Sequence, residues 1–277
     1  MRIAVFSDIH SNHTALEACF RTAEARGADL WVFLGDYVSD CANPRATMEL
    51  LYRAQREHDC VFIKGNREEY ILGHHKNGSD WQYGMSTGSL LYTYRNLTAE
   101  DLAFLDTLPN VRVINPNGKS EICLCHGSPE KTRETLHPFS YNVERWLLKI
   151  EQPLLMSGHT HRPLVARNGE KTYVNPGAVG IQATETVTAK MAFLESDGRG
   201  WQPELVEVPY DVAAAVAELE QCGLPELAGV WGRAIAKQLR EGKNYSLFCV
   251  ERAAELAAGG PVLLEHWAQA ARDFGID

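Results

Sequence analysis

The stretch RIAVFSDIHSNHTALEACFRTAEARG, residues 2–27, decides how this chain begins to fold. RIAVFS (2–7) is a short apolar run that ends in the polar turn DIHSNH. The following TALEACFRTAEARG spaces its apolar residues at a helical period and stops at Gly27. The pattern then repeats. DLWVFLGD (29–36) is an apolar run ending in Gly-Asp, and PRATMELLYRAQREHD (44–59) reads as a helix with Pro44 in its first turn. CVFIKGN (60–66) is a third strand, ending in Gly-Asn. Strand–helix–strand–helix–strand predicts a parallel sheet covered by helices. In such sheets ligands gather outside the carboxyl ends of the strands, where Asp8, His10, Asp36 and Asn66 stand.

Outward from this core the pattern changes. Residues 74–96 are rich in aromatic residues with little periodicity, which suggests a helix and loop lying outside the sheet. TAEDLAFLDTLP (98–109) reads as a helix opened by Thr98, with Asp101 in a near-capping-box position. VRVI and SEICLCHG flank the turn NPNGK as a hairpin, and the segments from 153 to 208 add further strands. NG at 168–169 and DG at 197–198 are turn signals among them. From about residue 211 the chain is Ala-rich and helical. The expected organisation is a domain over 1–208, with 74–96 as a candidate cap, and a helical extension over 209–277 that packs on it.

The chain has 277 residues, 45% hydrophobic and 23% charged, with a formal net charge of -9. Such an acidic balance argues against broad nucleic-acid binding, yet local cations can still make a pocket attractive to a small phosphorylated substrate. The seven cysteines, at 19, 41, 60, 123, 125, 222 and 249, show no zinc-finger spacing. The opening apolar run is too short for a signal peptide, and no stretch approaches the ~20 apolar residues of a membrane span. A cytoplasmic protein with reduced thiols, no membrane partner and a possible homo-oligomeric state is expected.

The chemistry-bearing residues are Asp8, His10, Asp36, Asn66, His126, His159 and His161. Each follows an apolar run, and most have a glycine beside them: Gly35, Gly65, Gly127 and Gly158. Imidazole nitrogen combined with carboxylate and amide oxygen suits Mn, Fe, Zn or Ni and not calcium. Seven ligands exceed one tetrahedral ion and suit two ions sharing one of the two carboxylates. Two such ions clamp the attacking and leaving oxygens of an in-line displacement at phosphorus. Two divalent ions, two carboxylates and a bridging hydroxide sum to about +1, which draws in phosphate and leaves the hydroxide as nucleophile.

Five motif blocks occur in order over residues 1 to about 208: DIH (8–10), GDY (35–37), GNRE (65–68), HG (126–127) and GHTH (158–161). Together they resemble the calcineurin-like metallophosphoesterases. DIHSNHTALEA and NPGAVG (175–180) resemble the small YfcE-like phosphodiesterase branch. The resemblance implies an α/β fold, a four-layer αββα sandwich of two mixed β-sheets flanked by helices. It also implies that Asp8, His10 and His161 hold one metal, that Asn66, His126 and His159 hold the second, and that Asp36 bridges them. The Gly158 turn would thus divide a histidine pair that an extended segment would present to one ion. The implied activity is metal-dependent hydrolysis of phosphodiesters or activated phosphate esters of small molecules, with Asp36, Asn66 and Arg67 at the reacting group. Two divalent transition-metal ions are implied, manganese favoured.

One position departs from the pattern. Many family members carry His after the Asn of GN, placed to protonate the leaving oxygen; here it is Arg67. Arginine stays charged and cannot be a general acid, but its planar fork can bind a phosphate oxygen. It could equally form a surface ion pair with Glu68 or Glu69. His74, His75 and His137 could supply an acid, and no spacing singles one out. Arg67 also admits a metal-binding scaffold of weak activity, while a protein or nucleoside-polyphosphate phosphatase is a further alternative. Asn12 is either a helix N-cap or a phosphate contact. Cys123 and Cys125 alternate on a strand and share one buried face. Trp81, Tyr83, Tyr92 and Tyr94 are candidates for a cap over the metals, and Trp231, Phe248, Trp267 and Phe274 for core or an oligomer interface.

Overall fold

A computed structural model describes residues 1–84, 86–137, 141–196 and 200–276. Two five-stranded sheets lie face to face. The first runs β10 (Trp201–Val208), β9 (Ala189–Ser196), β1 (Arg2–Phe6), β2 (Leu30–Phe33), β3 (Cys60–Phe62). Its β1, β2 and β3 are parallel, as their helical crossovers predicted, and β9 closes antiparallel on β1. The second runs β4 (Val111–Ile114), β5 (Ile122–Cys125), β6 (Leu154–Met156), β8 (Lys171–Asn175), β7 (Leu164–Asn168). The predicted β4–β5 hairpin is present, with Ile114 opposite Ile122.

The period of two sorts the strand residues into layers. Ile3 and Val5 of β1 join Ile122 and Leu124 of β5 in the core between the sheets. Ala4 and Phe6 face the other way, onto helices α1 (His13–Ala25) and α2 (Pro44–Glu57), where Phe20, Trp31 and Phe33 complete the layer. Cys123 and Cys125 share the outer face of the second sheet, packed with Trp146 and Leu147 of α6 (Tyr141–Lys149). The result is the four-layer αββα sandwich expected. Helix α6 was not foreseen, although YNVERWLLK is amphipathic and buries Val143, Trp146 and Leu147. The NG signal holds: Gly169, at φ +58°, opens the two-residue loop between β7 and β8. The DG signal at 197–198 lies outside the described residues.

Residues 74–96 divide between the end of α3 (Asn66–Asn77), a connecting segment and α4 (Gly88–Asn96). The Thr98–Asp101 capping box opens α5 (Ala99–Thr107) as predicted. After β10 come α7 (Val212–Gln221), α8 (Leu224–Leu227), α9 (Gly229–Glu241), α10 (Tyr245–Leu256) and α11 (Leu264–Asp273). Helices α7 to α9 dock on the sandwich through Leu219, Leu224 and Ile235 against Cys41, Ala42 and Ile181. No described helix is long and apolar enough to cross a membrane.

Candidate metal centre

The loops at the strand ends are held in an unusual backbone. Asp8, His10, Asp36, His159 and His161 all have φ between +49° and +67°. For a residue with a Cβ the left-handed region costs about 1–2 kcal/mol, so the surroundings must enforce it. Hydrogen bonds between loops do so. Ile9 and His10 both donate their N–H to the Asp36 carbonyl, at 2.9 and 3.0 Å, and Gly158 donates to the His126 carbonyl at 2.8 Å. Gly35 and Gly65 let two loops pass in contact, since a Cβ on Gly35 would lie 2.6 Å from Gly65 Cα.

Glu68 is the least legible of these fixtures. Fully buried, it accepts the N–H of Asp36 at 2.8 Å and Gly65 at 2.9 Å on Oε2, and that of Tyr37 at 2.8 Å on Oε1. One carboxylate therefore ties the GDY loop to the start of α3. Asn175, from NPGAVG, serves the other side by donating to the Gly158 carbonyl at 2.7 Å.

So built, the loops converge two groups of ligand atoms. In the first, His10 Nε2 and His161 Nε2 are 3.1 Å apart, with Asp8 Oδ1 at 4.0 and 3.4 Å from them. In the second, His126 Nε2 lies 3.3 Å from Asp36 Oδ2, 3.9 Å from Asp8 Oδ1 and 3.1 Å from Asn66 Oδ1. Asp36 Oδ2 is also 3.8 Å from His10 Nε2, so both carboxylates stand between the groups. Each spends one oxygen on the scaffold. Asp8 Oδ2 accepts from the Ser7 hydroxyl and the His159 N–H, and Asp36 Oδ1 accepts from the Arg67 N–H.

Two histidines have their Nδ1 against a carbonyl, His126 on Leu34 at 2.7 Å and His161 on Ile181 at 2.9 Å. A carbonyl only accepts, so each Nδ1 carries the hydrogen and Nε2 is turned inward as a donor of electrons to a metal. Burial pushes the His126 imidazolium down, but the Asp36 carboxylate overrides it and lifts the group to about 10. His161 is likewise raised, against burial, by Asp8. The carboxylates around these imidazoles thus favour positive charge within the buried ring, the charge a divalent cation would supply in place of those protons. Asp8 Oδ1, buried without a hydrogen-bond partner at the junction of the two groups, is the atom a cation would satisfy. The donor set fits a metal.

Residues 1–199 match the calcineurin-like phosphoesterase superfamily domain. The chain belongs to that superfamily. An uncharacterized protein of Methanocaldococcus jannaschii is 30% identical over 250 residues, which span 82% of this chain and 95% of that one. The crystal structure of a metallophosphoesterase from Sphaerobacter thermophilus superposes with a TM-score of 0.71 at 26% identity, covering 87% of this chain and 100% of the other. A hypothetical protein from Pyrococcus horikoshii OT3 shares the fold, with a TM-score of 0.73 at 23% identity and coverage of 87% and 98%. Residues 1–199 alone cannot supply 87% of this chain, so both likenesses run into the C-terminal helices.

Membership in that superfamily points to hydrolysis of phosphoester bonds, with candidate ligands for divalent metal in place, and the remaining expected site residues take these places. The segment 156–163 is not extended: His159 and His161 are both left-handed, at φ +67° and +57°. The pair diverges, His161 toward His10 and Asp8, and His159 toward His126, with ring centroids 5.3 Å apart. Burial and the neighbouring His126 hold His159 down at about 4, as a neutral ring. It stands outside the carboxylate–imidazole groups whose ligand atoms lie within 4.8 Å of one another.

Arg67 does not pair with Glu68 or Glu69. Its Nη2 is 3.1 Å from Asp40 Oδ2 and its Nε 4.0 Å from Asp36 Oδ2, beneath the Trp231 ring at 5.7 Å. Asn12 is the N-cap of α1, accepting from Ala15 N–H and donating to the Gly180 carbonyl. Buried with both polar atoms engaged, it is removed from the substrate-contact role considered for it. The aromatic segment does not cap the metals either. Trp81 stacks on His74 and packs with Tyr94 on the α1–α2 core, while Tyr92 donates to the Ala42 carbonyl. The C-terminal helices contribute to the walls of the site instead. A cavity of about 510 Å³ is lined by His10, Arg67, His159 and His161 together with Trp231 of α9 and Leu247 of α10. Trp231 is therefore part of the site, whereas Phe248, Trp267 and Phe274 pack within the helical cluster. Of the three candidate acids, His137 lines this cavity.

Proposed function

We propose that this protein hydrolyses phosphodiesters or activated phosphate esters of small molecules with two divalent transition-metal ions, manganese favoured. The observation that carries the reading is Asp8 Oδ1, buried without a hydrogen-bond partner among the Nε2 atoms of His10, His126 and His161. Asp8, His10 and His161 would hold one ion, and Asn66, His126 and His159 the other, with Asp36 shared. When bound, the pair supplies an activated water and neutralises charge at phosphorus.

The chain's own residues do the rest. His159 lines the cavity beside the second position, where a phosphate oxygen would rest. Arg67 offers its fork to a second oxygen but gives up no proton, which favours esters whose leaving group departs unaided. His137, on the cavity wall, is the side chain that could protonate a poorer one. A cavity of about 510 Å³, walled in part by α9 and α10, favours a small ester over a protein or polynucleotide.

The test is metal content of freshly purified protein, with turnover on a panel of phosphomonoesters, phosphodiesters and nucleotides. Asp36→Asn should lose turnover and weaken metal loading. Full turnover by a chelator-stripped Asp36→Asn protein would overturn the reading, and bound metal with no turnover on any substrate would favour a binding scaffold.

A further inference from the structure

Asp40 is a buried carboxylate that none of the motif blocks contains, and it holds an unusual number of partners. Ser39 hydroxyl donates to Oδ2 at 2.9 Å, and Arg67 Nη2 is 3.1 Å from the same oxygen. His10 Nδ1 lies 3.3 Å from it and 2.8 Å from Ser39 Oγ. On the other oxygen, Oδ1, the Ser89 hydroxyl of α4 and the Trp231 indole N–H of α9 both donate, the latter at 2.9 Å. Asp40 is 1% exposed and left-handed, at φ +61°. The sandwich, α4 and α9 thus meet on one carboxylate, whose opposite edge touches the outer nitrogen of a candidate metal ligand.

That contact has a direction. His10 turns Nε2 toward His161 and Asp8, so the hydrogen on Nδ1 is what Asp40 and Ser39 can accept. Unlike His126 and His161, whose Nδ1 atoms rest on carbonyls of the sandwich, His10 is fixed by a charged side chain. That side chain is itself fixed from a helix more than 190 residues away in sequence. Partners on the outer nitrogen of a ligating histidine set its ring orientation and basicity.

We propose that Asp40 is a positioning residue for His10 and that Trp231 sets Asp40, so that helix α9 tunes metal binding in the Asp8–His10–His161 group selectively. The inference rests on the two-metal reading above. A carboxylate serving only as the counter-ion of Arg67, or only as packing between α4 and α9, would give no such selectivity.

The experiment is calorimetric titration of Mn²⁺ into the chelator-stripped full chain. Wild type should bind in two steps. His161→Ala should remove one step and His126→Ala the other, which assigns them. Asp40→Asn should weaken the step assigned to His161 by about 10–100-fold and leave the other within about 3-fold. Trp231→Phe removes the indole donor and keeps an aromatic side chain; it should weaken the same step by about 3–10-fold, as one net hydrogen bond allows. Equal weakening of both steps, or unchanged steps in both variants, overturns the proposal. Should Asp40→Asn fail to fold, an unchanged titration of Trp231→Phe overturns it alone. Wild type that binds no Mn²⁺ overturns the two-metal reading itself, a result distinct from two normal steps in the variants.

Discussion

Replacing Arg67 by methionine tests its ion pair with Asp40. The side chain is 18% exposed and its partner Asp40 is 1% exposed, so the Nη2–Oδ2 contact at 3.1 Å is a buried ion pair. Removing one partner of such a pair costs about 3–5 kcal/mol, because a buried charge is left uncompensated. Asp40 keeps donors from Trp231, Ser39 and Ser89, which places the expected loss at the lower end, about 3 kcal/mol. Burial pushes the Asp40 carboxyl up, and Arg67 with His10 overrides it, holding the group well below the usual carboxylate range. A depressed carboxyl contributes stability above its unfolded value, near 3.8, and loses it only as pH falls further. Without Arg67, burial regains ground, the folded value rises, and protonation on lowering pH relieves the variant. The gap between wild type and Arg67→Met should therefore be largest near pH 8 and narrow toward pH 4. Urea unfolding of chelator-stripped proteins at pH 8 and pH 5 measures it. Asp40→Asn on the Arg67→Met background should recover about 2 kcal/mol at pH 8, since it removes the stranded charge. A loss under about 1 kcal/mol at pH 8, a gap independent of pH, or no recovery in the double variant would refute the buried-pair argument.

Two further perturbations probe the scaffold of the site. Glu68→Gln keeps one acceptor oxygen where two serve the N–H groups of Asp36, Gly65 and Tyr37; at least one buried N–H is orphaned, a loss of about 1–3 kcal/mol, read as a lower thermal midpoint with weakened Mn²⁺ binding. Gly158→Ala would set a methyl 2.6 Å from Asp8 Oδ2 and against the Ser7 hydroxyl; overpacking of about 1–3 kcal/mol should displace Asp8, so metal binding should fall further than stability does, with calorimetry and thermal unfolding reporting the two separately.

What could be read from the sequence follows from where its information is local. Strand period and helix period are local, so Ile3 and Val5 are assignable to one layer and Ala4 and Phe6 to another. The candidate ligands sit directly after apolar runs and beside glycines, so they too were visible. Asp40 follows no strand and has no motif around it; its place depends on a left-handed backbone and on partners from α4 and α9. Glu68 stood inside GNRE, but a charged residue in the first turn of a helix normally reads as solvated, and only the close approach of two loops makes it a buried acceptor. The aromatic residues of 74–96 carried a real signal with the wrong destination. Composition says that Trp81 and Tyr94 need a surface to cover, and the α1–α2 core offers one before the metal site does.

The docking of the C-terminal helices also changes how Arg67 should be tested as the substitute for an acid. Arg67, Asp40 and Trp231 form one packed set of cation, carboxylate and aromatic donor, and changing Arg67 alone leaves the Asp40 charge without its counter-ion. Arg67→His would introduce a group able to protonate a leaving oxygen, but it would also leave Asp40 without its guanidinium and free to hold the new imidazole as an ion pair. A histidine so held is a poor proton donor, because the neighbouring carboxylate raises its affinity for the proton. The informative comparison is Arg67→His against Arg67→His with Asp40→Asn, both at saturating Mn²⁺. If the missing acid limits monoester hydrolysis, the double variant should gain most, toward the 10²–10⁴-fold that general acid catalysis typically contributes, and its rate should fall as pH rises through the new imidazole. If the double variant gains nothing on a poor leaving group while still binding metal, the missing acid is not what limits monoester hydrolysis, and the shape of the cavity lined by α9 and α10 becomes the better explanation.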